Sequence, residues 1–265
     1  MAKGMRTPKG PASPPYTNGP YEMSEAVVYN KPVIEGSDRY VLISNFERRP
    51  QLSGTCDQVY TTEAARNASL DFEISGTSAA DADVVHGTTV AGIQMETAGA
   101  DDDQVIVLPH LDSGQTAWTS TLWGTENQVT WEAVIKTNSA IATTLIWAGL
   151  KLTNTPVIAT DDDQVYFRYS TDDANTNWRI ISSIAGTVTN ADSGIVVAAS
   201  TIYYFRIEID KDRQAHFFID NREVYRTEAL TNDIDLIPYV GVMALDTAAI
   251  TIWLAKQKIS RYIYE

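Results

Sequence analysis

From about Ala26 onward, the apolar residues fall in short runs of four to eight. Polar, Gly- or Asp-containing stretches separate them. Tyr40–Ile43, Asp71–Ile74, Gln104–Leu108, Gln164–Ser170 and Trp178–Ile184 are such runs, and each predicts a strand. Trp131, Ala133 and Ile135 alternate with Glu132, Val134 and Lys136, the pattern of a half-buried strand. Thr143–Leu152 (TTLIWAGLKL) is more uniformly apolar and predicts a central strand. Near the C-terminus, Tyr203, Phe205, Ile207 and Ile209 share one face, and Ala215, Phe217 and Ile219 continue it beyond a Lys211-Asp212-Arg213 turn. Asp220-Asn221 reads as a second tight turn. The chain closes on Ala249–Glu265, where Ile250, Ile252 and Leu254 alternate. No segment after residue 70 keeps a helical period over three turns. The spacing of strands and turns predicts an all-β, two-sheet sandwich.

The first 25 residues differ in kind. Five of the ten prolines lie there, at positions 8, 11, 14, 15 and 20, interleaved with Gly4, Gly10 and Gly19. Such text favours extended, solvated backbone over helix or central strand. Three segments follow: an extended arm over 1–25, a connecting β-rich segment over 26–66, and a sandwich over 67–265.

Charge sharpens the division. The 265-residue chain carries a formal −14, yet residues 1–20 hold Lys3, Arg6 and Lys9 and no acid. An acidic body repels phosphate backbones, which argues against nucleic acid as a partner. Cys56 is the only cysteine, so an intrachain disulfide is excluded. No apolar h-region follows the basic N-terminal residues, and no run approaches the ~18 apolar residues of a membrane helix. The expectation is a chain with neither secretion signal nor membrane partner.

DDDQV occurs twice, at Asp101–Val105 and at Asp161–Val165, each time ahead of an apolar run. Adjacent side chains on an extended chain point to opposite faces, so consecutive aspartates do not converge on one ion. Neither triplet has the alternating ligands and central Gly of a helix–loop–helix calcium loop. The expected role is an acidic turn feeding a strand. Asp101, Asp103, Asp161 and Asp163 are the calcium candidates, and no other cofactor is expected. Glu208-Ile209-Asp210-Lys211-Asp212 approaches the E-x-D-x-E of one class of retaining glycosidases, but its last acid is the shorter Asp and falls in the turn. The three histidines are not at zinc spacing, and nucleophile-elbow, P-loop and dinucleotide motifs are absent. A non-enzyme is expected. Of six tryptophans, Trp131 and Trp253 read as structural. Trp118 and Trp123, in the Ser/Thr/Gly-rich TAWTSTLWGT, are the candidates for a sugar or interface contact.

From about Asp103 to Tyr225 the chain resembles a group of tailed-bacteriophage virion proteins. The residues that carry the likeness are QVIVLPHLDSGQTAW, WGTENQVTWEAVIKT, IWAGLKLTNTPVIATDDDQVYFRYSTD and YYFRIEIDKDRQAHFFIDNREV. The resemblance implies a concanavalin-like jelly roll and a structural place in a virion assembled in the host cytoplasm. The expected role is a capsid decoration or cement protein that binds the head exterior and bridges capsid subunits. The major capsid protein, other virion subunits and further copies of this chain are its expected partners. The arm would anchor it through Lys3, Arg6, Lys9, Pro14, Pro15 and Tyr16. The alternative is a carbohydrate-binding module on a head fibre or tail, with glycans as partners.

Overall fold

The computed structural model describes residues 38–52, 71–110, 116–152 and 161–263. The whole of the proposed arm, with Lys3, Arg6, Lys9, Pro14, Pro15 and Tyr16, lies outside the described residues.

Among the described residues, two eight-stranded sheets face each other. Sheet A runs β14 (Arg222–Ala229), β13 (Gln214–Ile219), β12 (Ile202–Ile209), β7 (Thr130–Thr137), β16 (Thr251–Tyr262), β5 (Ile93–Glu96) and β4 (Val84–His86). The twelve-residue β16 outreaches β5. Its first half pairs with β5, and its second half pairs with β1 (Arg39–Ser44). Sheet B runs β11 (Thr187–Val196), β10 (Asn177–Ile184), β9 (Gln164–Ser170), β8 (Thr144–Lys151), β15 (Ile237–Ala244), β6 (Gln104–Pro109), β3 (Phe72–Ser75) and β2 (Gln51–Leu52). Among the described residues every pairing is antiparallel except β2 with β3. After a meander through β8–β11 the chain crosses to sheet A for β12–β14. It then returns for β15 and crosses again for β16. Because β1 and β2 pair within these sheets, the sandwich begins before residue 67, inside the segment the sequence assigned to a connection.

Alternation sets the core. On β7, Trp131, Ala133, Ile135 and Thr137 are buried and the intervening residues half-buried. On β12 and β13, Tyr203, Phe205, Ile207, Ile209, Ala215, Phe217 and Ile219 point inward. From sheet B, Phe167 meets Phe205 at 4.5 Å and Phe217 at 5.1 Å between ring centroids. The two sheets thus close through direct aromatic contact.

The centre of sheet B is apolar on both faces. All eight residues of β8 are buried, as a central strand requires. Ile146, Ala148 and Leu150 join the main core. Leu145 and Trp147 join a second cluster with Ile106, Leu108, Tyr166, Ile181 and Tyr239. Trp147 lies against Gly241, its cross-strand partner on β15. A Cβ on Gly241 would stand 2.4 Å from the indole, so only glycine leaves room for the ring.

The two DDDQV stretches end where β6 and β9 begin. Each uses its third aspartate as a clamp. Asp103 accepts the Ala100 N–H at 2.9 Å, in a turn where Asp102 has φ +64°. Asp163 accepts the Ala185 N–H at 3.2 Å and the Thr231 hydroxyl, fixing the β10–β11 turn and a distant loop. The repeated sequence is a repeated way of entering a strand.

Candidate functional site

The outward residues of sheet A form a polar face that dips into two adjoining hollows. The larger, about 380 Å³, is lined by Arg39 of β1, Gln128, Thr130 of β7, Glu208 and Ile209 of β12, Asp210, His216 of β13 and Tyr262 of β16. The smaller, about 130 Å³, is lined by Glu132, Val134, Tyr204, Arg206 and Asn221 among others. Strand alternation builds the face: the inward neighbours of Glu208 and His216 hold the core, so the polar residues between them must face out. Register brings them together, since Glu208 lies opposite Thr130 on one side and His216 on the other.

The side chains are held firmly. Arg39 Nη2 donates to the Gln128 carbonyl and the Thr130 hydroxyl, both at 2.9 Å, and to the Ser260 carbonyl at 3.1 Å. The guanidinium carbon of Arg39 stands 4.8 Å from the Tyr262 ring centroid. Asp210 Oδ1 accepts the backbone N–H groups of Asp212 at 2.8 Å and Gln214 at 2.9 Å. Its Oδ2 lies 3.0 Å from His216 Nε2, and His216 Nδ1 lies 3.0 Å from Glu223 Oε1. Burial pushes the Asp210 carboxyl up, but its bonds with His216 and the two backbone N–H groups outweigh this and hold it below its usual value. A neutral imidazole donates from one nitrogen only, whereas the imidazolium satisfies both carboxylates. Glu208 Oε1 lies 3.2 Å from Arg206 Nε without hydrogen-bond alignment, and Arg206 stacks on Phe218 at 4.1 Å. Tyr204, 56% exposed, extends the face towards the smaller hollow.

The cleft offers carboxylate acceptors, a histidine and the Tyr262 ring within one hollow, while its arginine is tied to the frame. That set is chemically suited to a hydroxyl-rich ligand that donates hydrogen bonds and presents an apolar face.

The positions singled out by sequence fare unequally. Trp118 and Trp123 are core residues, 3% and 1% exposed, and this corrects their reading as contact residues. Thr116 caps the short helix α1 (Ala117–Ser120), which folds the stretch inward. Trp118 packs on Phe72 at 4.8 Å, and Trp123 Nε1 donates to the Trp118 carbonyl at 2.8 Å. The calcium candidates do not converge. Asp101 is exposed, Asp103 and Asp163 clamp their own turns, and Asp161 faces the Lys151 ammonium at 3.4 Å. Among the described residues no three His, Cys, Asp or Glu side chains gather as a metal site. Of the E-x-D-x-E-like stretch, Glu208 and Asp210 reach the cleft. β12 ends at Ile209, and Asp212 sits in the exposed turn, paired with Lys211 at 3.0 Å. Trp131 is buried as expected, and Trp253 packs beneath Lys136 at 5.0 Å. Arg39 and Tyr262 lie over 200 residues apart in the chain and left no local signal in the sequence.

No family model and no curated protein matches the chain. Solved structures do. A Shewanella oneidensis protein of unknown function aligns with TM-score 0.52 at 12% identity, covering 86% of this chain and 89% of that one. The carbohydrate recognition domain of Emp46p aligns with TM-score 0.52 at 8% identity, covering 79% and 95%. The alginate lyase A1-II′ aligns with TM-score 0.51 at 10% identity, covering 81% and 93%. The likeness is one of fold alone. The chain is a jelly-roll β-sandwich of the kind found in both carbohydrate-binding and polysaccharide-cleaving proteins.

Proposed function

We propose that this chain is a non-catalytic, glycan-binding jelly-roll subunit of a tailed-bacteriophage virion. The cleft of Arg39, Thr130, Glu208, Asp210, His216 and Tyr262 is the observation that carries the glycan reading. The virion reading rests on the sequence likeness, whose span from about Asp103 to Tyr225 runs from the entry of β6 into β14. A carbohydrate recognition domain among proteins of like fold agrees with the ligand class.

The test is a glycan array probed with the full chain and with Glu208→Gln and Tyr262→Ala variants. Binding to a defined glycan is expected, weakened at least ~10-fold by either change, since each removes one contact worth ~1.4 kcal/mol. Incubation with the bound glycan is expected to release no shorter fragments. An array without signal for the wild type, unaltered binding by both variants, or fragment release would each overturn the reading.

One observation favours the capsid-decoration role as a second reading. β11 pairs with β10 alone among the described residues, and its Val188 and Val196 are 59% and 61% exposed. A ten-residue open edge is suited to pairing with another subunit. Quantitative mass spectrometry of purified virions decides between the two. Copies comparable with the major capsid protein support decoration, and a handful per particle places the chain on tail or fibre. Complete absence overturns the virion assignment.

A further inference from the structure

The outer face of sheet B carries a second polar group, on the opposite side of the molecule from the cleft. Register places Trp147, Arg168, Arg179 and Asp192 in one line across β8, β9, β10 and β11. Val165, Phe167 and Tyr169 of β9 point into the main core, so Arg168 points outward. Trp147 is buried and offers no stacking surface.

Arg168 and Arg179 are directly opposed on neighbouring strands, an arrangement that like charges disfavour. Each is drawn aside by an acid. Arg168 Nη2 lies 3.4 Å from Asp173 Oδ1, and Arg179 Nη1 lies 3.3 Å from Asp192 Oδ2. Both are single, long contacts, whereas a close bidentate pair sits at ~2.7–2.9 Å. Arg179 spends its remaining edge on Asn190, with Nε donating to Oδ1 at 2.8 Å and Nη2 to the carbonyl at 3.1 Å. The Nε and Nη1 atoms of Arg168 meet no acceptor among the described residues. Nη2 carries two N–H groups and the single Asp173 contact takes one, so one two-pronged edge of Arg168, Nε with Nη2 or Nη1 with Nη2, stays open beside a second positive charge.

The surroundings are polar and partly exposed. Asn177 Nδ2 donates to Asp192 Oδ1 at 2.9 Å, the Gly194 N–H does so at 2.7 Å, and the Asn175 amide joins them. The Gly194 N–H first, then Asn177, hold the Asp192 carboxyl below its usual value, so it stays ionised and anchors Arg179. Amides and a fixed carboxylate next to an open arginine fork match a sugar ring that carries both hydroxyls and a carboxylate.

We propose that Arg168, Arg179, Asn190 and Asp192 form a binding site for an acidic saccharide. Its carboxylate docks on the open edge of Arg168, with Arg179 alongside. Its hydroxyls bond to the Asn190 amide N–H groups, while Asp192 holds Arg179 in place. The site is independent of the cleft on sheet A.

The test is calorimetric titration of the full chain at low salt with a galacturonic acid trimer and, in parallel, a galactose trimer and a poly-glutamate peptide. The galacturonate trimer is expected to bind and the other two to bind at least tenfold more weakly. Arg168→Gln and Arg168→Lys are both expected to lose at least tenfold, because lysine restores the charge but not the fork. Arg222→Gln, which removes an exposed positive charge on β14 outside both sites, is expected to bind the trimer as the wild type does. No binding of the galacturonate trimer, equal binding of galactose trimer or peptide, or unchanged affinity in Arg168→Lys would each overturn the site. Thermal unfolding of both Arg168 variants at the wild-type temperature separates lost binding from lost folding. Glycan-array binding that depends on Glu208 would survive failure here, so the two sites fail separately.

Discussion

Asp161→Ala is expected to lower the midpoint of thermal unfolding by on the order of 10 °C. Asp161 Oδ2 lies 3.4 Å from Lys151 Nζ, and both side chains are at most 3% exposed. The ammonium also sits 5.2 Å from the ring centroid of Tyr239, inside the apolar cluster of the outer face of sheet B. Burial holds Lys151 below its usual value against the opposing pull of Asp161. Desolvation therefore outweighs the attraction, and the pair is not a net source of stability. Removing one partner is a different matter, because it takes the facing carboxylate away from a buried ammonium. That costs ~3–5 kcal/mol, and in a domain of this size each kcal/mol shifts the midpoint by ~2–4 °C. The sign with pH follows. A lysine with a depressed folded-state value loses its proton more easily when folded than when unfolded. The deficit of Asp161→Ala should therefore shrink as pH rises towards the ordinary lysine value. The double variant Lys151→Met/Asp161→Leu is expected to recover most of the loss. Unchanged melting in the single variant would mean that the ammonium has another place to go, and a double variant no better than the single one would sink the desolvation account.

How far the sequence foretold this molecule depended on whether a signal was local. β7, β8, β9 and β12 match their predicted runs to within a residue or two, because period-two alternation and continuous apolar text are written in consecutive residues. The Asp220-Asn221 turn was legible too, and both residues adopt positive φ, as a two-residue hairpin turn demands. β11 went unread. Its TVTNADSGIV is an exposed edge with little apolar text to mark it. β15 went unread for a different reason. Its IPYVGVMA carries a proline and a glycine that punctuate local patterns, yet it sits centrally between β8 and β6. The tryptophans misled because composition around Trp118 and Trp123 looks like a loop. The residues that bury them, Phe72 and Tyr40 among them, lie far away in the sequence. The cleft was half-visible. Glu208, Asp210 and His216 sit on one hairpin, but Arg39 and Tyr262 arrive through the pairing of β1 with β16. Long-range register decides which outward residues become neighbours, and no local pattern encodes it.

Trp178→Ala is expected to destabilise the sandwich by ~3–5 kcal/mol, the other large loss, and to act at a distance on the cleft. Trp178 leaves β10 of sheet B and meets two rings of β12 edge-on, Tyr203 at 5.3 Å and Phe205 at 4.8 Å, while Tyr169 of its own sheet closes the group at 6.0 Å. The side chain is fully buried, and its Nε1 has no hydrogen-bond partner among the described residues. The loss is therefore one of packing, with no polar bond to forfeit. Edge-to-face pairs add ~0.5–1.5 kcal/mol each beyond the area they bury, so Trp178→Phe should retain part of what alanine loses. The same β12 that Trp178 braces from within carries Tyr204, Arg206 and Glu208 on its outer side. A cavity under β12 lets that strand shift, and a shift of the strand moves Glu208 relative to His216 and Arg39. Denaturant unfolding should show the stability deficit. The glycan affinity of the cleft, measured well below the unfolding midpoint, should fall in the alanine variant and less so in the phenylalanine one. Full stability in Trp178→Ala would refute the aromatic contact between the sheets. Lost stability with unaltered glycan affinity would mean that the outer face of β12 is held by its neighbours β7 and β13 alone.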